Sequence, residues 1–376
     1  RRIVLKGVVA AYQVAQTYHL DIIHTQTEFG VGMLGKLVAR QLKIPVIHTL
    51  HTKYEDYVHY IAKGKILRPG MVKYIIKSYL FGVDGIIVPS AIVLDIVNGY
   101  GVNLEKRVIS TGIELNKFVR PEITAEDCVD LRASLGILPD ETMLLSLSRI
   151  AEEKNIQSIV KHLATIRDQV KVKLVIVGSG PYADKLQKLV SDLALDDIVI
   201  FTGLVDNSQT AYYYKAADFF ISASTSETQG LTYIEALASG TPVLATDNAY
   251  LQSLITEPVF GRLFASDDDI AATILAAITE TPSFDQARYD QKLYEISAEN
   301  FALRVYEFYL DKIISNDQYL AEKGESIPRR TARIVRQAPG KTVKTVARTP
   351  KKVAYFAKKA IKHAKILNKY GKIKLK

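Results

Sequence analysis

The chain has 376 residues, 48% of them hydrophobic, and a formal net charge of +9. A chain of this length normally folds as two or more domains, and the apolar content is sufficient for their cores. The single cysteine, Cys128, excludes an intrachain disulfide, and no apolar run approaches the roughly 18 residues of a membrane span.

The first part of the chain alternates short apolar runs with helical patterns. Strands are predicted at Asp21–His24, Val46–Thr49, Gly85–Val88 and Val108–Ser110, and helices at Gly32–Leu42, Met71–Leu80 and Ala91–Tyr100. This alternation is typical of parallel βαβ units. It predicts one α/β domain over residues 1–120.

The same rhythm restarts after a break that runs from Asn116 through Pro121 and a polar stretch to Asp140. Strands are predicted at Met143–Ser148, Lys173–Val177, Ile198–Phe201, Phe219–Ser222 and Pro242–Ala245, and helices at Pro181–Leu193 and Thr232–Ala238. A second domain is therefore predicted over residues 121–295. Two doubly wound domains bind ligands at the carboxyl ends of their strands.

The C-terminal part combines a predicted helix with a basic tail. Tyr294–Ile314 has a helical pattern, within a segment predicted over residues 296–326. From Arg329 to Lys376 there are 17 basic and no acidic residues, which leaves 32 basic and 40 acidic residues in the rest. Such a tail attracts anionic lipid or nucleic acid.

The tail at 327–376 favours a lipid surface. Its cationic stripe and its apolar stripe both have helical spacing, at Lys358, Lys362, Lys365 and Lys369 and at Val353, Phe356, Ala360, Ala364 and Leu367. A cationic amphipathic helix of this kind lies in an anionic membrane surface. The alternative is a solvated tail, and nucleic acid is disfavoured because no nucleic-acid-binding fold accompanies it.

The stretch from Ser226 to Pro242, SETQGLTYIEALASGTP, is the most informative. It places Glu227 and Glu235 on either side of a glycine turn that opens a helix. Free backbone amides at a helix start attract phosphate, and a carboxylate accepts hydrogen bonds from neighbouring hydroxyls. The pattern therefore predicts a nucleotide-sugar site, with an amphipathic surface helix as the alternative.

Two further strand-to-helix loops support this site, the first of them through contacts to a diphosphate. Arg149 and Lys154 lie between a predicted strand and a helix, and fixed cations suit a leaving diphosphate. A surface charge cluster is the alternative. Gly178 and Gly180 form a strand-to-helix turn in the sequence VGSGP, which supports the prediction without deciding it.

In the first domain, polar residues follow two predicted strands. His48, His51 and His59 could suggest zinc, but the strand end makes His51 a better candidate for a ligand cleft. Glu28 would either touch a ligand or favour a helix start that Thr27 caps. The sequence leaves both readings of Glu28 open.

These segments resemble the signatures of glycosyltransferase family 4. Ser148–Asn155 is similar to the G/S-R-x-x-x-E-K-N signature, and Ser226–Pro242 to the E-x7-E signature. The resemblance extends from Asp21 to Ile314. It implies the α/β GT-B fold, in which two Rossmann-like, doubly wound domains face a cleft and the C-terminal helix packs back toward the first domain. The family's opening strand and glycine-rich turn have no counterpart here, so we expect the first domain to be N-terminally incomplete by roughly 60 residues.

The resemblance also assigns roles. Glu235 would bind the ribose, Glu227 and His51 the hexose, and Arg149 and Lys154 the diphosphate. The catalytic residues it implies are His51, Arg149, Lys154 and Glu227. The donor-binding residues are Gly178, Gly180, Gly230, Leu231, Thr232 and Glu235. The acceptor-side candidates are Glu28 and Tyr54. No metal site or cofactor is implied, with Mg²⁺ at most a stimulant.

Within the family, the stretches HTQTEFG, HTLHTKYEDYVHYIAKG and SASTSETQGLTYIEALASGTP are similar to bacterial enzymes that glucosylate diacylglycerol. The implied reaction moves glucose from UDP-glucose to the 3-hydroxyl of 1,2-diacylglycerol, with retention of configuration, for glycolipids and the lipoteichoic acid anchor. It would take place at the cytoplasmic face of the membrane. The alternatives are a UDP-galactose donor, a glycolipid or polyprenyl-linked acceptor, and a catalytically silent membrane-docking scaffold.

Overall fold

The computed structural model describes residues 2–51, 69–224, 226–280 and 282–325. These divide into two compact units. The first contains residues 2–51, 69–89, 93–109 and 302–325, and the second contains the described residues of 90–92 and 110–301. The basic tail predicted at 327–376 lies outside the described residues, as does Tyr54.

The first unit is built on a four-stranded parallel sheet in the order β1-β2-β3-β4. Its strands are β1 (Ile23–Thr25), β2 (Val46–Thr49), β3 (Gly85–Val88) and β4 (Lys106–Val108), and its helices are α1 (Arg2–Thr17), α2 (Val31–Leu42), α3 (Pro69–Leu80) and α4 (Ala91–Gly99). β2 and β3 are buried along their whole length, as expected of parallel strands covered on both faces. Helix α1 is absent from the elements predicted from the sequence.

The second unit contains a six-stranded parallel sheet in the order β10-β9-β8-β5-β6-β7. Its strands are β5 (Thr142–Leu147), β6 (Val172–Val177), β7 (Val199–Gly203), β8 (Phe219–Ser222), β9 (Val243–Thr246) and β10 (Gly261–Phe264). Its helices are α5 (Asn116–Val119), α6 (Ala125–Ser134), α7 (Ile156–Ile166), α8 (Ala183–Asp192), α9 (Thr210–Ala216), α10 (Leu231–Ala238), α11 (Ala249–Leu254), α12 (Ile270–Thr279) and α13 (Gln286–Glu295). Separate apolar clusters, one including Met143 and the other Leu144, form the core of this unit.

Two sequence interpretations are corrected by the structure. The polar stretch after Pro121, interpreted as a break, contains α6, and Thr124 begins it through a capping box with Asp127. The single helix predicted over Tyr294–Ile314 is wrong, because α13 ends at Glu295 and α14 (Ala298–Glu322) begins a new helix. Between them, the amide of Ile113 donates to the carbonyl of Ile296 at 3.0 Å, and this tertiary contact fixes the interruption.

The strand order places a topological switch point between β5 and β8. From β5 the chain proceeds through β6 and β7 toward one edge of the sheet, whereas β8, β9 and β10 proceed toward the other. Loops that leave adjacent strands in opposite directions open a crevice at the carboxyl end of the sheet. The loops that follow β5 and β8 carry the two charged motifs singled out in the sequence.

Candidate active site

The structure joins the two charged motifs of the second unit through one ion pair. The ammonium of Lys154 donates to Oε1 of Glu227, and the two side chains are 19% and 23% exposed. Lys154 ends a 3₁₀ turn after β5, and Glu227 lies in the loop after β8. The pair is thus partly shielded from water, which strengthens the attraction relative to a surface pair.

Arg149 lies on the same loop but is more open. Its guanidinium donates to Glu153, four residues further along, and its side chain is 50% exposed. An exposed pair of this kind contributes little to stability. The contact of Arg149 with a diphosphate stays a prediction.

The predicted glycine turn packs against the Arg149 loop. A Cβ on Gly178 would lie 2.0 Å from the carbonyl oxygen of Ser148, and one on Gly180 would lie 2.2 Å from that of Ile150. The amide of Ile150 also donates to the carbonyl of Ser179 at 2.9 Å. Glycine is therefore needed for the two backbones to approach each other, and contact of Gly178 or Gly180 with a donor stays a prediction.

Helix α10 begins at the glycine turn without a side-chain cap. Gly230 has φ 75°, in the region that favours glycine, and no cap hydrogen bond is found for it within the described part of the chain. The first amides of the helix, which include those of Leu231 and Thr232, are the orphan donors of an α-helix. Contact of these amides with a phosphate oxygen stays a prediction.

Glu235 lies one turn into α10 and is held by a buried tyrosine. The hydroxyl of Tyr214 donates to Oε2 of Glu235 at 2.9 Å, and Tyr214 is fully buried. Burial raises the pKa of Glu235, and the hydrogen bond from Tyr214 opposes that rise. The sequence analysis missed Tyr214, because three consecutive tyrosines on α9 give no sign of which one faces the carboxylate.

Replacing Tyr214 with phenylalanine should move the acid limb of kcat/KM for the donor to higher pH. In the ribose-binding role predicted for Glu235 the carboxylate must be ionised, so activity should fall as pH drops through its pKa, and loss of the hydrogen bond should raise this pKa further. The donor KM at neutral pH should rise roughly three- to tenfold. Kinetics from pH 5 to 9 would measure both effects. Tyr213→Phe, on the same helix, is the control, and coincident profiles for the two variants would contradict the prediction.

In the first unit, His51 follows β2 and pairs with Gln26. Its Nε2 donates to Oε1 of Gln26 at 2.5 Å, since an amide oxygen can only accept. Burial and nearby His48 lower the pKa of His51, while Glu28 acts in the opposite direction. Burial also lowers the pKa of His24 to about 4, and the amide of Gln26 lies 3.1 Å from its Nε2. Both imidazoles are therefore neutral at pH 7.

Glu28 is buried beneath this cluster rather than exposed beside it. Its Oε1 lies 3.1 Å from Nε2 of His48, and the two side chains are 2% and 0% exposed. The helix-capping reading is wrong, because the cap of α2 is Gly30 and no side chain makes the cap hydrogen bond. The structure makes Glu28 a support for His48, and contact of Glu28 with an acceptor stays a prediction.

Comparisons with known proteins identify the family. A model of "Glycosyltransferase Family 4" matches residues 1–117, and one of "Glycosyl transferases group 1" matches residues 129–293. The alpha-monoglucosyldiacylglycerol synthase of Streptococcus pneumoniae is 54% identical over 345 residues, which cover 91% of this chain and 78% of that protein. The synthase of the same name from Acholeplasma laidlawii is 31% identical, over 81% of this chain and 78% of that protein.

The chain belongs to glycosyltransferase family 4. Solved structures with the same fold include a sucrose-phosphate synthase from Thermosynechococcus elongatus (TM-score 0.64, 25% identity, covering 82% of this chain and 77% of that one). Another is a glycosyltransferase from Rickettsia africae (TM-score 0.68, 18% identity, covering 83% and 82%). The two parallel-sheet units of this family 4 glycosyltransferase confirm the predicted GT-B fold class.

Proposed function

We propose that this family 4 glycosyltransferase moves glucose from UDP-glucose to the 3-hydroxyl of 1,2-diacylglycerol and forms α-monoglucosyldiacylglycerol. The observation that carries the proposal is the 54% identity, over 91% of the chain, to a protein named alpha-monoglucosyldiacylglycerol synthase. The product would serve as a membrane glycolipid and as a lipoteichoic acid anchor.

The donor site is assigned to the crevice at the switch point of the second unit. Glu235 would hold the ribose, the amides at the start of α10 and Arg149 the diphosphate, and Glu227 the hexose. A structural neighbour with TM-score 0.61, Anabaena Alr3699/HepE, is described in complex with UDP and glucose, which supports this class of ligand. His51 of the first unit is proposed for the hexose near its 6-hydroxyl.

The chemistry assigned to these residues is charge stabilisation rather than covalent catalysis. Retention of the anomeric configuration is explained if the acceptor hydroxyl attacks from the same face from which the leaving group departs. The departing phosphate then deprotonates the acceptor hydroxyl. Lys154 would then neutralise negative charge that grows on the diphosphate as the glycosyl bond breaks. Glu227 pairs with the ammonium and would bind sugar, so no carboxylate nucleophile of the retaining-hydrolase kind is needed.

The acceptor places the enzyme at a lipid surface. In the described part of the chain, no helix is long and apolar enough to cross a membrane. We assign membrane association to the basic tail, as a peripheral contact with anionic lipid at the cytoplasmic face. Each basic residue near such a surface contributes on the order of 1 kcal/mol, so the 17 of the tail would suffice.

Deleting Arg329–Lys376 should reduce binding to anionic liposomes and spare UDP binding. Both quantities can be measured on the same protein, by sedimentation and by titration calorimetry. The matched comparison is the full chain on zwitterionic liposomes, where loss of the electrostatic attraction should weaken binding to a similar extent. Undiminished sedimentation of the truncated protein would move the membrane contact elsewhere in the chain.

The proposed reaction is tested directly with the full chain and anionic liposomes that contain diacylglycerol. UDP-glucose or UDP-galactose is supplied, lipid products are read by mass spectrometry, and the anomeric configuration is read by NMR. The expected product is α-glucosyldiacylglycerol from UDP-glucose alone. A galactolipid would overturn the donor assignment, and UDP release without a glycolipid would overturn the acceptor assignment.

A further inference from the structure

Asp267 makes contacts to the donor-site loop that the sequence did not indicate. It is the first residue of a 3₁₀ turn, Asp267–Asp269, which follows β10. Its carboxylate accepts from the side-chain amide of Asn155 at 3.3 and 3.1 Å and from the hydroxyl of Ser158 at 2.7 Å. One carboxylate thus holds both sides of the junction between the Lys154 turn and α7.

Asn155 has an unusual backbone conformation at that junction. With φ 53° and ψ 32°, it lies in the left-handed region, where it ends the 3₁₀ turn of Lys154 and begins α7. Asparagine at a helix start normally caps its own helix, but no such cap bond is formed here. The side-chain amide of Asn155 donates to the carboxylate of Asp267 instead.

The contact ties the turn to a fixed base. Helix α7 is anchored in the core by Ile156, Ile159 and Leu163, which are at most 2% exposed. Ser158, on the same helix, is 5% exposed and contacts the same carboxylate. Asp267 therefore holds the point at which the chain enters α7, one residue after Lys154.

We infer that Asp267 is a positioning residue for Lys154: by holding Asn155 in its left-handed turn, it aims the ammonium at the donor diphosphate. The inference rests on the proposed function, in which Lys154 meets the diphosphate as the glycosyl bond breaks. Charge stabilisation of this kind depends on geometry, because donors must be in place before the charge develops. Asp267 would contribute without touching the donor.

Asp267→Ala is tested in two backgrounds, with Lys154 present and in Lys154→Ala. With Lys154 present, kcat for glucosyl transfer should fall about tenfold, with a smaller rise in donor KM. The dissociation constant of UDP, measured by calorimetry, should rise about threefold. In Lys154→Ala the same substitution should change either quantity by less than about twofold, because the group that Asp267 positions is gone.

Three further variants separate positioning from folding. Asn155→Gly tolerates the left-handed turn but removes the amide, and it should reproduce the effect of Asp267→Ala. Asp267→Asn keeps an acceptor oxygen, so its kcat should fall less than that of Asp267→Ala. Asp268→Ala removes a neighbouring exposed charge and should stay within about twofold of the parent enzyme, as expected for a surface site without such contacts.

Equal losses in the two backgrounds, or an unchanged kcat in Asp267→Ala, would overturn the inference. Failure of the proposed function would look different. If the parent protein binds UDP but forms no glucolipid, the proposed acceptor is wrong. The UDP dissociation constants of Asp267→Ala, measured with Lys154 present and in Lys154→Ala, still test the inference. The inference is supported if Asp267→Ala weakens UDP binding only when Lys154 is present. Equal weakening of UDP binding in both backgrounds would overturn the inference.

Discussion

Lys154→Ala is expected to lower kcat for glucosyl transfer about 100-fold, while the KM for UDP-glucose rises less than about tenfold. The physical reason is that the charge on the diphosphate grows during bond cleavage, so the ammonium contributes more to the transition state than to the ground state. The ammonium is partly buried beside Glu227, so in the variant water is a poor substitute for it. Single-turnover and steady-state rates on diacylglycerol liposomes would measure the effect.

Lys161→Ala is the matched control, since it removes the same charge from the exposed face of α7. Its kcat should stay within about twofold of the parent enzyme. Equal effects of Lys154→Ala on kcat/KM and on donor affinity would instead mean simple ground-state binding. In that case Arg149 and the start of α10 would have to stabilise the leaving diphosphate.

Glu235→Ala is expected to raise the KM for UDP-glucose roughly 10- to 100-fold, because each hydrogen bond to a charged group contributes about 1.5–3 kcal/mol. The hydroxyl of Tyr214 would also lose its partner in a fully buried position. Glu235→Gln keeps the shape and one acceptor, so its effect should be smaller. Initial rates over a range of donor concentrations would give both values.

Donors that lack a ribose hydroxyl test whether Glu235 contacts the ribose. The parent enzyme should prefer UDP-glucose over its 2′-deoxyribose and 3′-deoxyribose analogues, and Glu235→Ala should lose most of that preference because the discriminating acceptor is gone. Glu152→Ala, in an exposed position of the Lys154 turn, serves as the charge control. Unchanged donor affinity in Glu235→Ala would contradict the proposed role of Glu235 in ribose binding.

The sequence predicted those parts of the fold that depend on local pattern. The bounds of β2, β3 and β8 match the predicted strands, because short runs rich in β-branched or aromatic residues end at clear turns. Helix α1 and strand β10 were missed. The interruption between α13 and α14 was missed for a different reason, because the contact of Ile113 with Ile296 joins residues far apart in the chain.

The candidate site was predictable where a motif carried it. The signatures named Lys154 and Glu227, and the structure brings these two side chains together although 73 residues separate them. The contacts of Tyr214 with Glu235, of Gln26 with His51 and of the exposed Asp267 with Asn155 were not foreseen. Each contact depends on which loops the sheet order places side by side, and neither spacing nor composition encodes that order.

The ion pair between Lys154 and Glu227 has a consequence for redesign of the enzyme. The side chain proposed to recognise the hexose, Glu227, also pairs with Lys154, the cation proposed to stabilise the leaving group. With these proposed roles, an exchange at Glu227 that admits a new sugar would also release Lys154, so selectivity and turnover could not be altered independently at this position. A broader sugar range would have to be engineered at neighbouring contacts, with the pair itself kept intact.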